Sequence, residues 1–222
     1  MDHVHLGVYV NADDLKVILS RDRQLDFSNY HVNLDQQHFV DSFHLSSLSA
    51  RVPNIDNTLS NVIFDGNLLR LRENYEVEDY FVSFITSYIG NKLLETSNKF
   101  TIETVMSHSS KLDFMRSAKD NGFKVYLYFV SLADPELNKH RVQTRVAQGG
   151  HAVDEDKIRQ RYYRTMSNLY EALKIADSAY LFDNSAGEPN MFAVKEYDVL
   201  TIQSDYVPKW FATYVLDVIE QK

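Results

Sequence analysis

Residues 125–130 read Val-Tyr-Leu-Tyr-Phe-Val, a continuous apolar run between Lys124 and Ser131. Such a run is typical of a strand covered on both faces, as in parallel sheets flanked by helices. Other runs rich in β-branched and aromatic residues predict the further strands Gly7–Val10, Phe100–Glu103, Ala179–Phe182 and Val199–Gln203. Helical patterns separate most of these runs. We therefore predict an α/β fold in three layers, with a mostly parallel sheet and helices on both faces.

Apolar residues at three- and four-residue steps, together with capping residues, predict the helices. They are Glu76–Leu94, Lys111–Asn121, a helix opened by Asp134 and closed by Gly149, Asp154–Ala176, and Pro208–Glu220. The helix from Asp154 has an apolar stripe of Ile158, Tyr162, Met166, Leu169, Leu173 and Ala176. Residues 20–74 lack clear periodicity, so we interpret them as an insertion of short elements within a single domain of 222 residues.

The composition excludes several classes of protein. With 23 Lys and Arg against 31 Asp and Glu, the net charge of −8 disfavours a nucleic-acid-binding protein. The absence of Cys excludes disulfides and thiol nucleophiles, and no metal site is predicted. No apolar run approaches the ~18 residues of a membrane span, and the first residues lack the pattern of a secretory signal. The expected compartment is therefore the cytoplasm, without a membrane partner.

Basic residues are concentrated in one stretch of this acidic chain. Residues 139–164 hold seven Lys and Arg against three acids, including five of the eleven arginines. Arg is suited to bidentate recognition of phosphate or carboxylate groups. This stretch therefore predicts a site for a small anionic ligand.

The first predicted strand runs directly into Asn11-Ala12-Asp13-Asp14. Ligands of open parallel sheets bind beyond the carboxyl ends of the strands, where Asp13 could accept a hydroxyl proton as a general base. A second interpretation needs no function, since Asn11 can cap the following helix with Asp14 three residues on. These residues alone favour the cap.

A second strand end, at residues 100–107, supplies Glu103, Thr104 and Ser107. These side chains could hydrogen-bond a polyol or a sugar. Alternatively, Thr104 lies in the strand because of its β-propensity, and Ser107 or Ser109 caps the next helix.

Arg141 and Arg145 are four residues apart and so share one helical face, where they could neutralise a phosphoryl group. Gly149, Gly150 and His151 follow, and two glycines allow a hinged lid. Arg161 and Arg164 lie on a polar ridge of the next helix. The alternative is an ordinary solvated helical hairpin with His151 in its turn.

The order of these segments resembles the zeta-toxin family of P-loop kinases. The resemblance rests on NADDL (11–15), FTIETVMSH (100–108), residues 124–169 and AYLFDNS (179–185), and so covers most of residues 8–185. Its most specific part is RVxxRVxxGGHxV, followed by IxxRYxR. The resemblance implies a P-loop NTPase-like fold and transfer of the γ-phosphate of Mg-ATP to a hydroxyl of a sugar nucleotide or similar small molecule. It also implies an antitoxin protein as a candidate partner.

The resemblance assigns roles to residues named above. Asp13 matches the catalytic base, and Arg141 and Arg145 match the helix with phosphate-contacting arginines. The acceptor site is matched by Asn11, Glu103, Thr104 and Ser107. His151, Arg161 and Arg164 are further candidates for contacts in the lid or with phosphate.

The 222 residues contain no GxxxxGK[ST] motif. In P-loop kinases the backbone N–H groups of this motif hold the phosphates, and its Lys and hydroxyl serve the phosphates and Mg²⁺. We therefore expect the strand that carries the P-loop to be missing from the sheet, and ATP to bind weakly. Two interpretations remain open: a truncated or inactive kinase, and a non-catalytic pseudo-kinase that binds ligands or regulates a partner.

Overall fold

The computed structural model describes residues 6–147 and 154–221, with Arg145 described by its backbone position only. Helices and strands are mixed along the chain, as an α/β protein requires. The backbone contacts divide the chain into two compact units, residues 1–104 and residues 105–222, called unit 1 and unit 2 below.

Among its described residues, unit 1 contains two small sheets and four α-helices. Its strands are β1 (Val8–Asn11), β2 (Gln24–Asp26), β3 (Val62–Asp65), β4 (Leu68–Leu71) and β5 (Phe100–Glu103). Its α-helices are α1 (Ala12–Asp22), α2 (Gln36–Leu45), α3 (Ile55–Ser60) and α4 (Asp79–Thr96), with short 3₁₀ turns at Phe27–Tyr30 and Ser49–Arg51. β1 and β5 pair in parallel, whereas β2, β4 and β3 form an antiparallel sheet in that order.

The core of unit 1 is built around helix α4. Nine residues of this helix are buried, and they are distributed around most of its circumference, as in a helix enclosed by other elements. Phe39 and Phe43 of α2 pack on Phe81 and Phe84 of α4 at ring-centroid distances of 4.8–6.3 Å. Most of these contacts are edge-to-face, the geometry that aromatic rings prefer. The resulting core supports the back of β1 and its helix α1.

From residue 105 to 147 and from 154 to 221, unit 2 contains one four-stranded sheet and five α-helical segments. Its strands are β6 (Tyr126–Ser131), β7 (Ser178–Asp183), β8 (Asn190–Glu196) and β9 (Val199–Ile202). Its helices are α5 (Ser110–Asp120), α6 (Pro135–Ala147), α7 (Glu155–Ile175), α8 (Lys209–Phe211) and α9 (Asp217–Glu220), the last two joined by a π-helical turn at Ala212–Leu216. The sheet order is β6-β7-β8-β9, with only the first pair parallel.

The apolar stripe of α7 is the main contact surface of the unit 2 core. The six stripe residues predicted from the sequence are all buried, with Leu169 completely inaccessible. Four of them belong to one buried cluster with Trp210 and Phe211 of α8 and Phe192 of β8, namely Tyr162, Met166, Leu169 and Leu173. Asp154 caps α7 by accepting a hydrogen bond from the N–H of Lys157, as its position in the sequence predicts.

Two features of the sheets differ from the sequence prediction. Of the six described strand pairs, two are parallel and four antiparallel, so the described sheets are small and mixed. β6 was expected to be covered on both faces, but Tyr126, Tyr128 and Val130 on one of its faces are 53–55% exposed. A continuous apolar run shows that both faces are hydrophobic, and it does not identify what covers them.

Candidate functional site

A polar cluster lies at the carboxyl ends of the parallel strands β1 and β5. Asn11 and Glu103 are paired across the two strands, so their side chains are neighbours. The Nδ2 of Asn11 donates to Glu103 Oε2 at 3.0 Å and to the Tyr9 hydroxyl at 3.3 Å. The Tyr9 hydroxyl donates in turn to Glu103 Oε2. Two predicted acceptor-site residues, Asn11 and Glu103, are therefore in direct contact.

Asn11 is also the cap of helix α1. Its Oδ1 accepts a hydrogen bond from the N–H of Asp13 at 2.8 Å, while its backbone remains extended. The cap interpretation of this segment is therefore confirmed, and it coexists with the polar cluster because the two ends of the amide serve different partners. Asp13 lies exposed in the first turn of α1, immediately beyond β1.

Tyr9 is a member of this cluster that the sequence reasoning missed. The hydrogen bond to Glu103, and then burial, raise the pKa of the Tyr9 phenol above its ordinary value. The phenol therefore stays protonated at neutral pH and acts as a donor. The available signal was the two-residue spacing of Tyr9 and Asn11, which places both side chains on one face of β1.

The segment after β5 is fixed to helix α7. Thr165 Oγ1 donates to the carbonyl oxygen of Val105 at 2.6 Å, and Asn168 Nδ2 donates to that of Met106 at 2.9 Å. Met106 has a positive φ of 56°, which turns the chain sharply there. Thr104 ends unit 1 and is exposed, whereas Ser107 is half-buried beside the turn. Ser107 is therefore held next to the polar side of α7.

Three cations share one face of helix α7. Lys157, Arg161 and Arg164 follow the i, i+4, i+7 spacing of a single helical face, and all three are exposed. Thr165 and Asn168, which bind the Val105–Met106 turn, continue the same face. In the described part of the chain, none of the three cations has an ion-pair partner. Lys157, Arg161 and Arg164 are together called the α7 cationic face below.

Neighbouring cations outside this face are paired. Lys139 of α6 lies 2.6 Å from Glu155 of α7, and Arg159 of α7 lies 2.5 Å from Glu136 of α6. These bridges join α6 and α7, as expected for a helical hairpin. The hairpin interpretation is thus correct for these residues, while the α7 cationic face takes no part in it.

Arg141 is attached to the end of β7. Its Nη2 donates to the carbonyl oxygen of Asn184 at 2.6 Å, and the side chain is exposed. Arg145 lies four residues further along the backbone of α6. His151 falls outside the described residues, as do the two glycines of the predicted hinge.

The carboxyl ends of β6 and β7 form a second, more buried polar region. Asp183 is only 6% exposed; its Oδ1 accepts from the N–H of Ser185, whereas its Oδ2 has no partner among the described residues. The hydroxyl of Tyr162 lies within 3.2 Å of the carbonyl oxygens of Leu132 and Ala133. Burial is the main cause that raises the pKa of Tyr162. This phenol is therefore a structural donor in the loop after β6.

The described residues contain no group of three or more His, Asp or Glu side chains placed to hold a metal ion. Within the same residues, no helix has both the length and the hydrophobicity needed to cross a bilayer.

No protein-family model and no solved structure matches the chain. A protein of Haemophilus influenzae, described only as uncharacterized, is 38% identical to the chain over 63 residues. The aligned part is 28% of this chain and 45% of that protein, so the chain spans less than half of this relative's length.

Proposed function

We propose that the chain is a zeta-toxin-like phosphotransferase domain that transfers the γ-phosphate of Mg-ATP to a hydroxyl of a sugar nucleotide or a similar small molecule. In this proposal Asp13 accepts the hydroxyl proton, and arginines of the α6–α7 hairpin stabilise the phosphoryl charge. The proposed fold is P-loop NTPase-like, three-layered and without the P-loop strand. The parallel pairs β1–β5 and β6–β7 support it, since polar residues follow their carboxyl ends.

The observation that carries the proposal is the α7 cationic face. An acidic protein with a net charge of −8 has many carboxylates available, yet Lys157, Arg161 and Arg164 are paired with none of the described ones. Three cations on one face repel each other, and a bound polyanion removes that repulsion. A phosphate ester suits such a face, because a guanidinium group matches two phosphate oxygens with two parallel donors.

The cluster in unit 1 supports the acceptor half of the proposal. The Glu103 carboxylate and the Asn11 amide lie at the end of two parallel strands, where they can hydrogen-bond sugar hydroxyls. Asp13 follows Asn11 by two residues, and the cap bond to its N–H fixes the start of α1. The carboxylate of Asp13 is therefore attached to a well-determined backbone position.

A second candidate function is a non-catalytic module that binds phosphorylated small molecules. The observation that favours it is the absence of GxxxxGK[ST] from the 222 residues. Removing preorganised donors from a phosphoryl-transfer site lowers its rate by orders of magnitude.

Calorimetric titration with Mg-ATP and with a sugar nucleotide tests both candidates. Micromolar affinity for Mg-ATP supports the kinase, whereas sugar-nucleotide binding without heat from millimolar Mg-ATP supports the module. Replacing Arg161 or Arg164 by Ala is expected to weaken phosphate-ligand binding about tenfold each, or about 1.4 kcal/mol, the loss of one charge-assisted contact.

The matched control for these titrations is Arg159→Ala. It removes the same charge from the same helix, but from a side chain already paired with Glu136. Equal weakening by Arg159→Ala and Arg161→Ala would show that only net charge matters, and the α7 cationic face would then not be a binding site.

A further inference from the structure

Four polar side chains of unit 1 surround the connection between strand β4 and helix α4. Arg23 follows the last residue of α1, Thr58 lies in α3, Tyr75 lies in the connection itself, and Glu78 immediately precedes α4. Thr58 and Tyr75 are buried, whereas Arg23 and Glu78 are half-buried. These four residues are called the Glu78 cluster below.

Arg23 holds this connection by its backbone. Its Nη2 donates to the carbonyl oxygen of Tyr75 at 2.7 Å and also to that of Arg72. Its Nε is buried and has no hydrogen-bond partner among the described residues. Residues 72–78 belong to no helix or strand, so they depend on such bonds for a fixed position.

Glu78 is the poorly compensated member of the cluster. Its Oε2 is buried and accepts no hydrogen bond from the part of the chain that the structure describes, and its side chain does not cap α4. Burial, and then the negative charge of Glu76, raise the pKa of Glu78, while the Thr58 hydroxyl acts in the opposite direction. Burial without full hydrogen bonding costs more for a carboxylate than for a neutral acid.

The other titratable groups around Glu78 leave its carboxylate unpaired. Arg23 is bonded to backbone carbonyl oxygens. Asp79, the next residue, pairs with Lys16 of α1. Tyr75 is neutral over the physiological range, because burial raises its pKa to about 12. Among the described residues, no cation forms an ion pair with Glu78.

We propose that Glu78 is a proton-dependent latch on residues 72–78: the neutral acid lets this segment rest against Arg23 and Thr58, and the carboxylate loosens it. The sign follows from the raised folded-state pKa. The carboxylate costs stability above that pKa, and the cost disappears as the pH falls to the unfolded-state pKa of about 4.3. Helix α4 packs on β1 and α1, so the latch acts on the support of the polar cluster at Asn11.

Hydrogen exchange measured by mass spectrometry tests the latch directly, because it reports local opening of a segment. Wild type and Glu78→Gln are compared at the same pH, since the exchange chemistry itself depends on pH. At pH 7, the amides of residues 72–78 are expected to exchange several-fold more slowly in Glu78→Gln. Near pH 4, where Glu78 of the wild type is protonated, the two proteins should exchange alike. Glu73→Gln is the matched control, since Glu73 is an exposed carboxylate of the same segment and should leave exchange unchanged.

Urea unfolding is the second measurement. Glu78→Gln should have a higher midpoint than wild type at pH 7 and the same midpoint near pH 4, whereas Glu73→Gln should follow wild type at both. Exchange in Glu78→Gln at the wild-type rate or faster at pH 7 would overturn the proposal. An equal effect of Glu73→Gln would also overturn it, as would a difference between Glu78→Gln and wild type that persists undiminished near pH 4.

Discussion

Replacement of Asn11 separates the two tasks of its amide. Asn11→Ala removes the acceptor of the Asp13 N–H, a cap worth about 1 kcal/mol, and also the donor to Glu103. The bond to Glu103 is solvent-accessible, so we assign it about 0.5–1 kcal/mol rather than the larger value of a buried charged bond. The expected total for Asn11→Ala is therefore about 1.5–2 kcal/mol in the free energy of unfolding.

Asn11→Ser is the informative partner variant, since a serine hydroxyl keeps the cap and removes the amide donor. It should cost only about 0.5–1 kcal/mol. With a urea m-value of about 2 kcal/mol/M, the two variants should differ in unfolding midpoint by about 0.5 M, measured by far-ultraviolet circular dichroism. Equal urea midpoints for Asn11→Ser and Asn11→Ala would show that the cap does not contribute to the free energy of unfolding. Two variants that unfold like wild type would refute the contribution of the whole cluster.

Two further predictions concern the backbone and the pH dependence of stability. Gly7 has a φ of +67°, and a Cβ atom there would overlap the Lys99 carbonyl group, whereas Gly66, with a φ of +58°, has open space around it. Gly66→Ala should therefore lower the free energy of unfolding by about 1 kcal/mol, and Gly7→Ala should lower it clearly more. Thermal unfolding of both variants measures the difference. Burial acts to raise the pKa of Asp177, but hydrogen bonds from the Lys119 amine and a backbone N–H outweigh it, so the pKa lies below its ordinary value. A carboxyl group with a lowered folded-state pKa stabilises the folded protein at pH values above its unfolded-state pKa of about 3.9. This stabilisation is lost as the pH falls through the folded-state pKa. Asp177→Asn should therefore destabilise at pH 7, and urea midpoints should converge with wild type below about pH 4; a pH-independent difference would contradict this.

Local patterns in the sequence predicted the parts of the fold that local chemistry determines. The buried stripe of α7, its cap at Asp154 and the cap at Asn11 follow from spacing and residue type. Strand β8 (Asn190–Glu196) was missed, because residues 191–194 form a short apolar run flanked by polar residues, without clear alternation. β8 and β9 form a hairpin through Tyr197 and Asp198, a two-residue turn without the Asn-Gly or Asp-Gly signal that identifies such turns in a sequence.

In the candidate site too, some features follow from local sequence and others depend on contacts between distant segments. Contact between Asn11 and Glu103 follows once β1 and β5 are known to be parallel neighbours, and the sequence placed both at strand ends. The distinction between Arg159, which is paired, and Arg161, which is not, depends on where Glu136 of a different helix lies. Charge counts along the chain carry no information on such pairing.

In the proposed function, this chain transfers phosphate with Asp13 as the base. Its most direct test is phosphoryl transfer from Mg-ATP to a panel of sugar nucleotides, compared between Asp13→Asn and Asp14→Asn, two neighbouring exposed carboxylates of the first turn of α1. We predict that wild type and Asp14→Asn transfer phosphate, and that Asp13→Asn is slower by at least about a hundredfold, the usual contribution of a general base. No transfer by wild type, or equal rates for the two variants, would overturn the proposed role of Asp13 as the base.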